Sequence, residues 1–276
     1  MRFAILGSGS DGNGLVVEAA AAAFPSVYPS VSPVSSDALH PTRILVDCGF
    51  GIRDTVDRLA RLELVPEQLD AIVLTHEHDD HASGAFKFAH RFNLPVWLTA
   101  GTLRGCKNYL RAGVPLELFD SHTPFAIGGL ALQPVAVPHD ACEPTQFVFS
   151  DGVHRLGLLT DAGRSTAHMI AAFSGVDALV LECNHDAQML ADSNYPATLK
   201  RRIGGAFGHL SNAEAGAILA ALEQDRLQHV IAAHLSRSNN TPQLARTALM
   251  RAWSGAVREV EVACQTEGLG WRVLQC

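Results

Sequence analysis

The stretch "AIVLTHEHDDHASG", residues 71–84, restricts the fold of this chain more than any other. Four apolar residues, Ala71 to Leu74, give way after Thr75 to three histidines and three acidic residues in six positions, His76 to His81. The apolar run is short and β-prone, and the downstream "ASGAFKFAHRF" has helical periodicity. The ionisable residues are therefore expected in a strand-to-helix loop, a position that commonly carries chemistry. Their spacing is His76-x-His78-x-Asp80-His81. Alternate residues of an extended loop project in similar directions, and one further step brings a fourth group to the same centre. Neutral imidazole and carboxylate together suit Zn²⁺ and related divalent metals. The bland alternative is a solvated polar turn, but that would crowd ionisable groups beside a dry strand with nothing to balance them.

"THEHDDH" resembles the His-x-His-x-Asp-His signature of the metallo-β-lactamase superfamily. The resemblance implies an α/β fold, a four-layer αββα sandwich, in one domain over residues 1–276. It also implies a later His, an Asp that bridges two metals and a final His, each at a strand end. "LQPVAVPHDA" offers His139, "RLGLLTDAG" offers Asp161 and "HVIAAHLS" offers His234, in that order. "RILVDCG" places Asp47 at an earlier strand end, as a group that orients ligands. "LGSGSDGN", "PHDACEP", "LECNHD", "YPATLKRRI", "GHLSNAEAG" and "HLSRSNNTP" are similar to the YycJ/WalJ branch, a group of DNA-acting exonucleases, and this likeness covers nearly the whole chain. There are two departures. Cys183 stands where a small polar residue is expected, and residues 19–41 look like a flexible insertion in a hairpin that is short in the family. Neither touches a metal-ligand position.

On this resemblance His76, His78 and His139 hold one metal, Asp80, His81 and His234 the other, and Asp161 bridges them. The donors point to two divalent ions, Zn²⁺ first, with Mn²⁺ or Fe also accepted by such a set. A hydroxide between the ions is the expected nucleophile, and Asp80 orients it. His209, in "FGHLSNAEAGAIL" just ahead of a helix, is the expected proton donor to the leaving oxygen. Ser211 or Asn212 can cap that helix, whose N-terminus suits an anion, and the stretch resembles a phosphate-binding element of RNase J-like nucleases. Ser8, Ser10 and Asn13 in "GSGSDGNG" either form an anion-binding nest facing the metals or belong to a glycine-rich hairpin turn. The spacing Gly7-x-Gly9-x-x-Gly12 matches a dinucleotide fingerprint only formally, because β-prone "LVV" follows where a helix is required. His185, after "ALVLEC", is a further rim residue for substrate phosphate, whereas His40, His90, His122, His154, His168 and His229 read as structural or surface residues.

DNA is the expected substrate, with RNA as the variant and exonuclease direction, 5′ to 3′, taken from the resemblance alone. A net charge of −7 excludes a broad basic face, so nucleic acid must be gripped locally. Lys200, Arg201 and Arg202 offer such a grip or form a solvated helix face. The same scaffold also suits a small cyclic phosphodiester, a thioester or a lactone, and a metal-containing regulatory protein without turnover is the reading from another class. No run of eighteen apolar residues occurs and the N-terminus turns polar at Gly7, so a cytoplasmic protein with neither signal peptide nor membrane span is expected. The six scattered cysteines are expected as reduced, packed thiols. Short strands, the metal loop and then alternating strands and helices suggest two stacked α/β halves. "REVEVACQ" and "WRVLQ" look like a closing hairpin.

Overall fold

Strands that are apolar on both faces build the centre of the molecule, and their continuous burial follows from being covered twice. The computed structural model describes residues 1–20, 40–254 and 259–276. The chain begins with β1 (Arg2–Gly7), β2 (Gly14–Ala19) and β3 (Thr42–Val46), which are antiparallel neighbours. β4 (Ala71–Val73), β5 (Val96–Leu98) and β6 (Leu116–Leu118) then extend the sheet in parallel from β3. The crossovers carry α1 (Ile52–Ala60), α2 (Asp79–Ala82), α3 (Ala85–Phe92) and α4 (Ala100–Gly105).

The second sheet opens with β7 (Phe125–Ile127), β8 (Leu130–Ala136), β9 (Thr145–Ser150) and β10 (Arg155–Leu159), each antiparallel to the next. β11 (Ala178–Glu182), β12 (His229–Ala233) and β13 (Glu261–Val262) continue it in parallel. Five helices accompany these strands: α5 (Ala167–Phe173), α6 (Ala187–Asp192), α7 (Ala197–Ile203), α8 (Asn212–Ala221) and α9 (Pro242–Ala252). Last, β14 (Leu269–Val273) returns to pair with β1.

Side chains alternate between layers along each strand, as a period of two requires. Ile44, Val46, Ala71 and Val73 meet Phe147, Phe149, Leu156 and Leu158 between the sheets. Leu45, Ile72 and Leu74 face outward onto Leu59 of α1 and Phe86 and Ala89 of α3. Leu179 and Leu181 face outward onto Phe173 of α5, Ile218 and Leu219 of α8, and Leu249 of α9. This is the αββα sandwich that the resemblance implies. Among the described residues, no helix is long and apolar enough to cross a membrane.

Four expectations need adjustment. The closing strands are not a hairpin: β13 adds to the second sheet and β14 to the first, with a single antiparallel bridge between Cys264 and Gly268. Each covers a sheet edge that would otherwise offer unpaired backbone groups. The polar loop after β4 ends at His78, because Asp79–Ala82 forms one helical turn. Cys48, Cys106 and Cys183 are buried, but Cys142, Cys264 and Cys276 are exposed, so packing accounts for half of the thiols. The insertion expected over 19–41 lies largely outside the described residues; Ala19 itself ends β2.

Three segments are tied together beneath the β4 loop. Asn13 N donates to Asp80 O at 2.7 Å, Cys48 N to His81 O at 2.8 Å, Gly49 N to Asn13 O at 3.1 Å and Gly84 N to Cys48 O at 2.9 Å. A Cβ at Gly49 would stand 1.9 Å from Asp80 O, so only glycine lets these backbones close. Asp47 at φ +58° and His234 at φ +55° occupy the left-handed region without being glycine. Such conformations persist where surrounding contacts over-determine them, and both residues end strands at the same edge of the sandwich.

Candidate metal centre

Six strand ends deliver ionisable side chains to one edge. Asp47 follows β3, the His76–His81 segment follows β4, His139 follows β8 and Asp161 follows β10; Glu182 ends β11 and His234 follows β12. His78 Nδ1 lies 3.0 Å from His76 Nε2 and 3.3 Å from His139 Nε2. Asp80 Oδ2 lies 3.2 Å from His234 Nε2 and 3.4 Å from His81 Nε2. Asp161 stands between these two groups. Its Oδ2 is 3.3 Å from His81 Nε2, and its Oδ1 is 4.0 Å from His139 Nε2 and 3.7 Å from His234 Nε2. His76, His78 and His139 thus offer ligand atoms within 4.8 Å of one another, as do Asp80, His81 and His234, and Asp161 groups with His76 and His81 on one side and with Glu182, His209 and His234 on the other.

The nitrogens that face away from the clusters are held by hydrogen bonds, which fixes each ring's orientation. His139 Nδ1 donates to Gly208 O at 2.9 Å, and His81 Nδ1 donates to Asp47 Oδ2 at 2.8 Å. Asp47 Oδ1 accepts from Thr75 N at 2.9 Å. Thr75 Oγ1 lies 3.0 Å from His76 Nδ1, and His78 Nε2 donates to Asp140 O at 3.2 Å. His234 is held at its backbone, where N donates to Ser8 Oγ at 2.8 Å and O accepts from Asn184 Nδ2 at 3.2 Å, and its ring Nδ1 lies 3.6 Å from Glu182 Oε1.

Charge balance tests whether metal ions fit here. Asp47, Asp80, Asp161 and Glu182 converge on the centre, and among the described residues no lysine or arginine pairs with any of them. Burial pushes the His81 imidazole down, but Asp161, Asp80 and Asp47 outweigh it and hold the ring well above its ordinary value. The same contest raises His234 to about 10, with Asp161 and Asp80 again prevailing over burial. Burial alone would raise the Asp80 carboxyl, yet His81 and His234 hold it far below the carboxylate range. These carboxylates thus draw positive charge into the cluster, and metal ions compete for the same positions as protons. His76 behaves oppositely. Burial and the facing imidazoles of His81, His139 and His78 push it well down, so neutral nitrogens confront one another. A tetrahedral Zn²⁺ with bonds of about 2.0–2.1 Å sets its ligand nitrogens roughly 3.3 Å apart. The 3.0 and 3.3 Å separations around His78 match that spacing, and Asp161 Oδ2 is buried with no hydrogen-bond donor. The residues fit divalent metal ions.

Sequence reading missed Glu182. It is fully buried, its Oε1 accepts from His209 Nδ1 at 2.7 Å, and its Oε2 accepts from Ala162 N at 3.0 Å and Leu210 N at 3.2 Å. The available signal was a carboxylate closing the apolar run "ALVLE", where an isolated charge cannot be left unpaired. Burial pushes the His209 imidazole down, but Glu182 and Asp161 outweigh it, so the ring keeps its proton more readily than a free histidine. It stacks on His234 with centroids 5.4 Å apart and remains partly open to solvent.

The other expected phosphate contacts have varied surroundings. Asn13 Nδ2 reaches Asp80 Oδ2 at 3.2 Å and His81 Nε2 at 3.1 Å. Ser8 is buried under His234, and Ser10 is exposed in the turn between β1 and β2, which favours the hairpin account of the glycines. Ser211 Oγ caps α8 in a reciprocal arrangement with Glu214, and Asn212 pairs with Asn240. His185 is buried, and its Nδ1 has no hydrogen-bond partner.

Residues 42–234 match the beta-lactamase superfamily domain. The chain is 31% identical over 249 residues to exodeoxyribonuclease YycJ of Bacillus anthracis, covering 89% of this chain and 86% of the relative. It is 27% identical over 253 residues to exodeoxyribonuclease WalJ of Streptococcus pneumoniae, covering 90% and 87%. Among solved structures, Zn²⁺-bound PqqB from Methylobacterium extorquens superimposes with a TM-score of 0.70 at 18% identity, covering 99% of this chain and 100% of that one. That last likeness concerns the fold. The chain belongs to the metallo-β-lactamase superfamily of metal-dependent hydrolases, in its YycJ/WalJ-like branch.

Proposed function

We propose that the protein is a binuclear metal-dependent phosphodiesterase that releases nucleotides from the 5′ end of DNA. The carrying observation is the pair of His/Asp clusters sharing Asp161, with His209 beside them. DNA and exonuclease action come from the relatives named exodeoxyribonucleases.

His76, His78 and His139 would hold one ion, Asp80, His81 and His234 the second, and Asp161 both. Zn²⁺ is the first choice on the nitrogen-rich donor set and on the Zn²⁺ bound by the PqqB neighbour. When bound, such a pair lowers the pKa of water and clamps the attacking and leaving oxygens of an in-line displacement. The rest falls to side chains. Asp80, a fifth exposed, orients the attacking water, whose proton passes to solvent and whose oxygen joins phosphorus as the bond to the leaving O3′ breaks. His209, aligned through Nδ1 by Glu182, gives its Nε2 proton to that oxygen.

The test is a panel of 5′-phosphorylated and 5′-hydroxyl DNA and RNA oligonucleotides, incubated with Zn²⁺ and Mn²⁺. Mononucleotide release from the 5′ end of DNA is expected; release from the 3′ end alone, or none, would overturn the reading. Metal analysis of the active protein, purified without chelator, should give about two divalent ions per chain. One ion in a fully active preparation would sink the binuclear arrangement.

A further inference from the structure

Phe207 is 58% exposed and is the only aromatic residue among the exposed large hydrophobics of the described residues. It stands two positions before His209, on a loop that has little freedom to fold the ring away. Gly208 N donates to Gly205 O at 2.9 Å, His209 N donates to Ile203 O at 2.8 Å, and Gly208 O accepts from His139 Nδ1 at 2.9 Å. From the other side, a Cβ at Gly163 would stand 2.4 Å from Ala206 C and 2.5 Å from Phe207 N. The backbone of Phe207 is therefore pressed against the segment that carries Asp161, while its ring is left in water.

The segments that meet the Phe207 loop carry arginines, in a chain whose net charge is −7. Arg164 adjoins Gly163 and Arg201 lies in α7; both are exposed, and among the described residues neither has a carboxylate partner. Arg202 Nε donates to Asp140 Oδ2 at 2.6 Å, next to His139. An exposed aromatic face on a fixed backbone, with arginines on the adjoining segments, suits single-stranded nucleic acid, which is held with bases on rings and phosphates on cations.

We propose that Phe207 is the platform on which a nucleobase adjoining the scissile phosphate stacks, with Arg164 and Arg201 meeting neighbouring phosphates. The proposal rests on the phosphodiesterase reading and deepens it. Because every base has a π-face, the subsite tolerates any sequence but requires an unpaired base at the end being cut.

The experiment measures binding of the metal-loaded enzyme to a dye-labelled single strand whose linkages are phosphorothioates, so that no turnover intervenes. Stacking of about 1–3 kcal/mol per base corresponds to a weakening of roughly 5- to 150-fold in Phe207→Ala. Phe207→Trp should bind within about twofold of the wild type, since indole stacks at least as well. Metal content and thermal midpoint should be unchanged in both variants. An abasic residue placed at each of the first three nucleotides in turn should, at one of them, cost the wild type a similar factor and Phe207→Ala nothing further. Unchanged affinity in Phe207→Ala, or losses that simply add at every abasic position, would overturn the proposal. If the wild type releases nucleotides while Phe207→Ala binds normally, only this inference fails. A wild type that neither binds nor cuts any strand would take the nucleic-acid reading down with it.

Discussion

Asp161→Ala is expected to remove phosphodiester turnover and to loosen both metal ions together. Each Asp161 oxygen has a different duty: Oδ2 lies 3.3 Å from His81 Nε2, while Oδ1 reaches toward His139 and His234. The carboxylate is 1% exposed, so no solvent can replace the missing charge cheaply. Losing even an outer contact of a metal ligand costs about 10–100-fold in affinity or activity, so a carboxylate shared by both clusters should cost roughly a thousandfold or more. Asp161→Asn keeps the shape and removes the charge. It should fail nearly as badly, whereas a purely steric role would leave it active. Metal titration with parallel turnover assays decides the matter. An alanine variant with two tightly held ions and normal rates would show that the two clusters do not share this residue.

How much of this centre was legible in the sequence depended on whether its chemistry was local. "HEHDDH" places four donors within one strand-to-helix connection, and ionisable groups crowded against an apolar run need an explanation at once. His139, Asp161 and His234 are single polar residues behind ordinary strands, and only the family order singled them out. Glu182 was not read because a carboxylate after "ALVL" looks like any strand end; its meaning lies in His209, 27 residues away. The same limit applies to β13 and β14. Alternation marks each as a strand, but the partner sheet is set by edges left open elsewhere, so neighbouring strands were read as a hairpin. Asp79–Ala82 was too short to show periodicity, although its single turn aims Asp80 and His81.

His209→Ala separates phosphate handling from metal holding. If this imidazole protonates the leaving oxygen, kcat on DNA should fall by roughly a hundredfold or more, the scale for a lost general acid. Both metal ions should remain, because His209 Nδ1 is occupied by Glu182 at 2.7 Å and the seven proposed ligands are untouched. The defect should shrink on a p-nitrophenyl phosphodiester, whose leaving group departs as a stable anion and needs no proton. Glu182 is a positioning residue on this account. Glu182→Gln keeps an acceptor for the ring but gives up the charge that holds its proton, so it should reproduce the same leaving-group dependence in milder form. In the double variant the two losses should not add, because they remove one function. Loss of an ion from His209→Ala would make His209 a ligand, in line with the tight grouping of Asp161, Glu182, His209 and His234. Full activity on DNA would reduce the "GHLSN" loop to a helix cap. An equal defect on both substrates would assign His209 to holding the phosphate and leave the leaving oxygen to take its proton from water.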